Sequence, residues 1–187
     1  MAIYKLFPTK DTTLYSYYPD MNSGMDPINE LYNISNFTGD PIVSRYLIQF
    51  DLDEINDLIN NTIGGQTWDS NLKSYISTAQ GITQPTYIEL FPLAQDWING
   101  SGNFLDSPQT KDGVSWNSPT TSGSSNWLTS GSIAGTLYTS SYNPSFSNPG
   151  GGSWFYSGSG VTSYKVTQSF DLRSTKDLNI NVKSIIN

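Results

Sequence analysis

The densest apolar run in the first half of the chain is Ser44-Arg45-Tyr46-Leu47-Ile48-Gln49-Phe50-Asp51-Leu52. In an extended chain Tyr46, Ile48 and Phe50 fall on one side. Leu47 and Gln49 fall on the other. Because both sides carry apolar residues, the pattern predicts a strand through the middle of a sheet, with both faces at least partly covered.

Arg45 places a charge at the start of this apolar strand. A half-buried cation of this kind is usually held by an opposite charge that fixes its geometry. We therefore expect Arg45 to form a structural ion pair at a sheet end, with Asp11 or Asp20 as its partner. A role as a substrate clamp is the alternative.

The composition limits the function. The chain has 187 residues, no cysteine, no histidine and a net charge of −7. The length suits a single domain over residues 1–187. The missing histidine weighs against most acid–base, Ser-His-Asp and zinc chemistry. The negative charge argues against nucleic acid as a partner. The sequence contains no apolar run long enough to predict a membrane span.

Short extended segments separated by turn residues recur along the whole chain. They are residues 3–7, 11–18, 28–34, 72–79, 85–93, 113–117, 135–140, 153–157, 161–172 and 177–186. Strands and helices do not alternate, so the pattern predicts an all-β fold, an antiparallel β-sandwich of jelly-roll type.

One segment differs from this pattern. Ile55, Leu58, Ile59 and Ile63 recur at spacings of three and four residues. Acidic residues at the start and a Gly pair at the end are typical helix boundaries. We therefore predict one short helix over residues 53–63, across one end of the sandwich.

Residues 118–160 form a long region rich in Gly, Ser and aromatic residues and poor in charge. So many aromatic side chains are not typical of a disordered linker. We expect a long loop folded against the sheet. The candidates for contact with a glycan or a neighbouring subunit are Trp127, Trp154, Phe155 and Tyr156. Packing beneath the loop is the alternative for all four.

The turn after the first good strand carries Asp20, Asn22 and Asp26, whose oxygens could bind calcium. A hydrogen-bonded Asx turn without metal is the alternative. Asp51 and Asp53 together with Asp96 are a weaker second candidate. No other cofactor is expected.

Paired carboxylates would be needed for glycoside hydrolysis. Glu89 lies within a predicted strand, and Asp96 and Asp106 lie in turns. Nothing in the sequence pairs them across a cleft, so we expect no catalytic residues and no enzymatic activity.

Five motifs follow one another in a characteristic order. They are 11–15, Pro19-Asp20-Met21-Asn22-Ser23-Gly24, Arg45 with Phe50-Asp51-Leu52, Asp96-Trp97, and Gly113-Val114-Ser115-Trp116-Asn117. This order resembles the DNRLRE domain, a β-sandwich module of the carbohydrate-binding-module type. The resemblance covers most of the chain and implies that Trp97 and Trp116 belong to the core. Residues 118–160 depart from it like an insertion.

The opening of the chain has no export signal and is similar to virion structural proteins of tailed phages, especially marine phages and cyanophages. This resemblance implies a non-enzymatic virion component, assembled in the host cytoplasm, in the capsid, neck, tail or baseplate. Its expected partners are other virion proteins, and it would form a symmetric homo-oligomer or a multi-copy array through sheet edges and the 118–160 loops. The alternative is a carbohydrate-binding module that attaches a particle or an enzyme to a surface polysaccharide.

The last residues, Ser184-Ile185-Ile186-Asn187, end on an apolar pair. In the resembled family a short helical turn carrying Trp and then a final strand usually follow a segment like 178–182, and we expect neither of them here. We therefore expect the C-terminus to be truncated, or the open edge to be filled by a neighbouring subunit; a natural stop is the alternative.

Overall fold

The computed structural model describes residues 2–35, 37, 39, 41–79, 85–139, 150–156, 164–170 and 177–186. Within these residues ten strands form four small sheets, and every strand pair is antiparallel. The predicted all-β class is therefore confirmed. The jelly-roll sandwich stays a prediction.

The strands are β1 (Lys10–Tyr15), β2 (Asn33–Ser35), β3 (Pro41–Gln49), β4 (Asn71–Ser74), β5 (Thr86–Leu90), β6 (Ser130–Ile133), β7 (Thr136–Thr139), β8 (Trp154–Tyr156), β9 (Val166–Phe170) and β10 (Leu178–Asn181). The strand orders are β1-β3-β2, β10-β4, β5-β9 and β6-β7-β8. The helices are α1 (Leu52–Asp57), which continues as a π-helix (Leu58–Ile63), and α2 (Lys183–Ile186).

Strand β3 separates two hydrophobic clusters. The first contains Leu14, Leu47, Trp97, Val114, Trp116 and Trp127. The second contains Leu72, Phe170, Leu178 and Ile180, with Ile48 and Phe50 packed against it. Side chains alternate across a strand, so Leu47 and its neighbour Ile48 reach opposite clusters. The prediction that this strand is covered on both faces is confirmed.

The predicted helix begins at the expected place. Asp51 caps α1, because its carboxylate accepts hydrogen bonds from the N–H groups of Asp53 (2.8 Å) and Glu54 (3.2 Å). Acidic residues in the first turn complement the positive end of the helix dipole. The second half is π-helical, and the N–H of Gly64 bonds the carbonyl of Ile59 at 3.0 Å to close it.

Several predicted strands are shorter than expected or absent. Residues 2–8 form no strand, and neither do residues 113–117. Of the predicted strand 28–34, only β2 forms. A strand forms where its backbone N–H and C=O groups pair with those of another strand. Pro8, at the end of residues 2–8, has no N–H group for such pairing.

The second half of the chain also departs from expectation. Strand β6 was not predicted, because its Ser-Gly-Ser sequence is poor in β-branched residues. The predicted strand 177–186 ends at Asn181, and α2 follows it. Of the predicted strand 161–172, residues 161–163 and 171–172 lie outside the described residues.

Candidate functional site

Arg45 is held by aromatic rings and carbonyl groups. Its guanidinium carbon Cζ lies 4.7 Å from the centroid of the Trp116 ring and 4.5 Å from that of Trp154. Its Nη1 donates hydrogen bonds to the carbonyls of Gly150 (2.6 Å) and Gly151 (3.0 Å). Gly151 has a φ of 70°, and a Cβ there would lie 2.6 Å from Nη1. The contact therefore requires glycine at that position.

The ion pair expected for Arg45 is absent. Asp11 accepts a hydrogen bond from Asn29 instead, and Asp20 lies 4.0 Å from the ammonium of Lys111. No carboxylate among the described residues lies within salt-bridge distance of Arg45. Desolvation therefore lowers the pKa of Arg45 to about 10. The residue acts as a structural cation stabilised by ring faces and carbonyl dipoles.

Four of the tryptophans are buried, two more than the sequence predicted. Trp97 and Trp116 are buried, as predicted. Trp127 is 3% exposed and Trp154 6% exposed. Both therefore pack inside the protein, which was the alternative to contact with a glycan or a neighbouring subunit. The indole N–H of Trp127 donates to the carbonyl of Ser115 at 3.0 Å. The abundant Gly and Ser around these residues suggested a surface loop, but small residues also let chain segments pack closely over an indole ring.

Phe155 and Tyr156 are partly buried within strand β8. The N–H of Phe155 bonds the carbonyl of Pro92 at 2.9 Å, and Phe155 lies opposite Tyr138 in the sheet. Tyr142 and Phe146, which also belong to the 118–160 region, lie outside the described residues. The four residues proposed as one contact surface therefore divide between the core and a half-covered strand.

The three oxygen-bearing side chains of the turn have separate protein partners. Asp20 accepts from the side chain of Asn117 at 3.0 Å. Asp26 accepts from the N–H of Phe104 at 3.0 Å and 3.2 Å. Asn22 is fully buried and is described below. Within the turn, Asn22 Oδ1 accepts a hydrogen bond from the N–H of Gly24 at 3.3 Å, which is the Asx-turn contact given as the alternative to a calcium site. In the described part of the chain, no three Asp, Glu, His or Cys residues group as metal ligands would.

Asn22 joins two distant loops, a role that the sequence did not reveal. Its Nδ2 donates to the carbonyls of Asn99 (2.7 Å) and Val114 (2.9 Å). Its Oδ1 accepts from the N–H groups of Gly102 (2.8 Å) and Gly24 (3.3 Å). The amide thus uses both its donors and its acceptor.

Glycines make room for this amide. A Cβ on Gly100, where φ is 77°, would lie 2.4 Å from Asn22 Oδ1, and a Cβ on Gly113 would lie 2.6 Å from Nδ2. Glycine occurs at both positions where the backbone passes close to Asn22. These glycines are the one sequence signal that could have indicated a buried polar side chain, because only glycine lets the backbone approach so closely.

The carboxylates considered for catalysis or metal binding are each engaged separately. Glu89 pairs with Lys165, and Asp96 pairs with Lys10 at 3.0 Å. The hydrogen bond from Lys10 holds the pKa of Asp96 below its usual value. The hydroxyl of Thr110 donates to Asp106 at 2.6 Å and lowers the pKa of that carboxyl. Asp51 serves as the cap of α1.

An aromatic cluster reaches the surface beside the turn. Edge-to-face contacts join Tyr17 to Tyr18 (centroids 4.9 Å apart) and Tyr18 to Phe104 (5.7 Å). The ring of Phe104 also lies 5.1 Å from that of Tyr15. Tyr15 is buried and donates its hydroxyl to Glu30 at 3.2 Å, whereas Tyr17 is exposed. The cluster therefore joins a buried anchor to a surface ring.

Two further segments expose apolar side chains. The arm segment, residues 2–8, has no regular structure, and its Ile3, Tyr4 and Phe7 are exposed. The helical segment, residues 52–63, comprises α1 and the π-helix. Its Leu52 is exposed, whereas its other apolar side chains are partly buried: Ile55, Leu58, Ile59 and Ile63. No helix in the part of the chain that the structure describes is long and apolar enough to cross a membrane.

Comparison of the chain with protein-family models, with curated proteins and with solved structures finds no match.

Proposed function

We propose that this protein is a non-enzymatic structural component of a tailed-phage virion. In this role it binds neighbouring virion subunits in multiple copies, after assembly in the host cytoplasm. The resemblance of its motifs to the DNRLRE module supports this role, as does the similarity of its opening to phage virion proteins. Its place in the particle is the capsid, the neck, the tail or the baseplate.

The observation that carries the proposal is the amount of apolar surface left uncovered. Within the arm segment Ile3 is 75% exposed, Tyr4 53% and Phe7 76%. Monomeric proteins expose single apolar residues, but extended apolar patches are typical of interaction surfaces. A subunit that is covered by its neighbours in a particle would bury these side chains on assembly.

Open sheet edges add to this support. Strands β2 and β6 are outermost in their sheets within the described residues, and every residue of both is exposed. An edge strand presents unpaired N–H and C=O groups to which another chain can add. Strand β6 lies in the 118–160 region, which was expected to contact neighbouring subunits.

The proposal is tested on particles of the phage that carries the gene. Mass spectrometry of purified virions should detect the protein in a fixed copy number, and a reconstruction should place it in symmetric positions. Detection in infected cells but not in purified particles would overturn the proposal.

A carbohydrate-binding role is the second candidate, and the surface aromatic cluster is the observation that favours it. Exposed rings stack on sugars, and the nearby carboxylates of Asp26 and Glu30 could accept hydrogen bonds from sugar hydroxyls. Affinity electrophoresis in polysaccharide gels discriminates the two roles. A glycan binder is retarded as an isolated protein, and Tyr17→Ala together with Tyr18→Ala abolishes the retardation. Unchanged mobility in host surface polysaccharide eliminates this role.

A further inference from the structure

Strand β6 is an open edge along its whole length. It is outermost in the sheet β6-β7-β8, and all of its residues are exposed. The far side of this sheet is covered, because Leu93 forms a β-bridge with Trp154 of β8 and the N–H of Phe155 bonds the carbonyl of Pro92. Within the described residues, β6 is therefore the edge at which another strand can join this sheet.

The turn after β6 sets the hydrogen-bonding pattern of its hairpin with β7. Ala134 and Gly135 connect the two strands with φ values of 49° and 83°. Positive values at both positions are characteristic of a type I′ turn. The residues that flank such a turn, Ile133 and Thr136, lie opposite each other and exchange both of their backbone hydrogen bonds.

The backbone groups that face the open edge follow from this turn. Antiparallel pairs alternate between pairs that exchange hydrogen bonds and pairs that do not. Gly131 lies opposite Tyr138, two residues from the turn, and therefore bonds β7. Ser130 and Ser132 then direct their N–H and C=O groups away from β7, to a side where no other described strand meets them.

Strand β6 has none of the features that usually protect an edge. Natural edge strands carry a charged side chain, a proline or a bulge that prevents another chain from adding. The sequence Ser130–Ile133 contains neither a charge nor a proline, and its pairing with β7 runs without a bulge. This edge is therefore suited to pairing with another strand.

The distribution of charge indicates that the added strand belongs to a second copy. The chain has a net charge of −7, so two copies repel each other over most of their surfaces. No charged residue occurs between Asp112 and Lys165, and β6 lies within this stretch. Two copies can approach each other here without opposing like charges, whereas a basic partner would find no carboxylate to bind.

One register uses all of the outward groups. When Ser130 lies opposite Ser132 of the second copy, each such pair exchanges both of its hydrogen bonds. The twofold axis then passes between the two Gly131 residues, and the Ser130–Ser132 pair occurs on both sides of it. No outward N–H or C=O group of β6 remains unpaired in this arrangement.

The neighbouring registers are less favourable because they need backbone groups that are already engaged. A shift in one direction brings in Leu128, whose N–H bonds Gln95 Oε1 at 3.0 Å and whose carbonyl accepts from the hydroxyl of Ser153 at 2.7 Å. A shift in the other direction brings in Ala134, which lies in the turn with a positive φ. The register centred on Gly131 avoids both.

A tyrosine covers the centre of the proposed contact. A Cβ on Gly131 would lie 2.6 Å from the Tyr138 hydroxyl, so the tyrosine side chain lies across the glycine towards the open edge. Side chains on opposite residues of paired strands start about 5 Å apart. The two Tyr138 side chains would therefore lie next to each other over the pair of glycines.

We infer that strand β6 of one copy pairs antiparallel with strand β6 of a second copy, so that their two sheets join into one continuous sheet. Identical strands meet about a twofold axis, so the same surface serves both copies and the edge is closed in the dimer. Main-chain hydrogen bonds supply the affinity in strand addition of this kind. The inference rests on the proposed role as a multi-copy subunit and names the contact that links two copies.

Disulfide trapping tests the pairing and its register, since the chain contains no cysteine. Ser130→Cys and Ser132→Cys are made as separate variants, mixed and oxidised. The Cα atoms of opposite residues in a hydrogen-bonded pair lie about 5.5 Å apart, which a disulfide can span. The control mixture combines Ser132→Cys with Ser77→Cys, an exposed position outside this sheet.

The first mixture should give at least about ten times more crosslinked dimer than the control, because a disulfide needs Cα atoms within about 7 Å. Equal yields from the two mixtures overturn the inference. So does a Ser130→Cys variant that crosslinks by itself as completely as the mixture, because its two cysteines are diagonal neighbours in the proposed register.

Sedimentation of the whole chain gives a second readout. The unmodified protein should form dimers as its concentration rises to the millimolar range. Ser132→Pro should be monomeric, because it removes an N–H that faces the edge and leaves the bonds to β7 in place. Ser132→Thr keeps that N–H and should remain dimeric. Urea unfolding verifies that each variant is folded, and Ser130→Pro, at the first residue of the strand, replaces Ser132→Pro if that variant is unfolded.

Two results of sedimentation would contradict the inference. One is an unmodified protein that is monomeric at millimolar concentration, and the other is a dimer that a folded proline variant leaves intact. Presence in virions is a separate measurement, so the strand pairing can fail while the structural role stands, and the reverse.

Discussion

The guanidinium of Arg45 lies 4.5 Å above the ring of Trp154 and replaces an ion pair with an aromatic contact. The ring of Trp116 lies 4.7 Å away on another side, and the carbonyls of Gly150 and Gly151 accept hydrogen bonds from Nη1. A single side chain thereby joins β3 to the loop containing Trp116 and to the chain just before β8. Substitutions at this position measure how strongly that junction stabilises the fold.

Arg45→Met should lower the free energy of unfolding by about 2–4 kcal/mol. It removes two charge-assisted hydrogen bonds and leaves two carbonyls unpaired, while the aliphatic stem still packs between the rings. Arg45→Lys should be intermediate, because an ammonium lacks the planar face that stacks on both indoles. Urea unfolding monitored by tryptophan fluorescence checks the order of the three proteins. A methionine variant as stable as the original would show that the contact contributes nothing.

Asn22→Asp should destabilise the fold by about 3 kcal/mol or more. The substitution replaces two N–H donors by an acceptor that faces the carbonyls of Asn99 and Val114 in a fully buried site. Exposed Asn60→Asp is the matched control and should change stability by less than about 0.5 kcal/mol. Chemical denaturation of both variants measures the difference, and equal effects would refute the role assigned to Asn22.

Phe50→Ala should lower stability by about 2–3 kcal/mol. A fully buried Phe would cost about 3–5 kcal/mol, but Phe50 is partly exposed where it packs on the second cluster. Phe37→Ala removes the same atoms from a fully exposed position and serves as the control. A thermal melt in which the two variants coincide would contradict the assignment of Phe50 to this cluster.

The part of the stability that depends on Tyr46 should fall as the pH rises from about 10 to about 12. Burial, with a smaller contribution from Asp11, raises the pKa of Tyr46 from 10.0 to about 12. In this window the unfolded chain releases the proton while the folded chain keeps it, so the folded state loses stability with each step in pH. Below pH 10 both states hold the proton and this effect vanishes.

Tyr46→Phe should make the alkaline fall less steep. The burial of Tyr15 and Tyr32 also raises their pKa values, so part of the slope should remain in the variant. Denaturation at pH 8, 10 and 11 compares the two proteins, with pH 8 as the reference. Identical slopes would show that Tyr46 keeps its ordinary pKa in the folded protein.

Local patterns predicted those features that depend on residues close in sequence. The alternation in 44–52 identified β3 and its two covered faces, because the side chains of a strand alternate by geometry alone. The spacing of Ile55, Leu58 and Ile59 identified the helical segment, because residues three or four apart lie on one face of a helix. The succession of short segments without intervening helices predicted the all-β class, which the antiparallel sheets confirm.

Contacts between distant residues could not be predicted in the same way. Arg45 was expected to find a carboxylate, but its partners are rings and carbonyls of Trp116, Gly150 and Trp154, far along the chain. Asn22 was considered a metal ligand, but it bonds loops near Asn99 that no local pattern connects to it. Nothing in a single sequence states which loops meet.

The sequence by itself determined the class of the fold, the central strand and the helical segment, since period and turn chemistry act over a few residues. Only the tertiary structure decided that Trp127 and Trp154 are buried and that Ile3 and Phe7 are exposed. Burial depends on which distant segments cover a side chain, and the same apolar residue is stable in a core or at an interface. In this chain the indole rings of the Gly/Ser-rich region are covered from within, and the apolar arm is not.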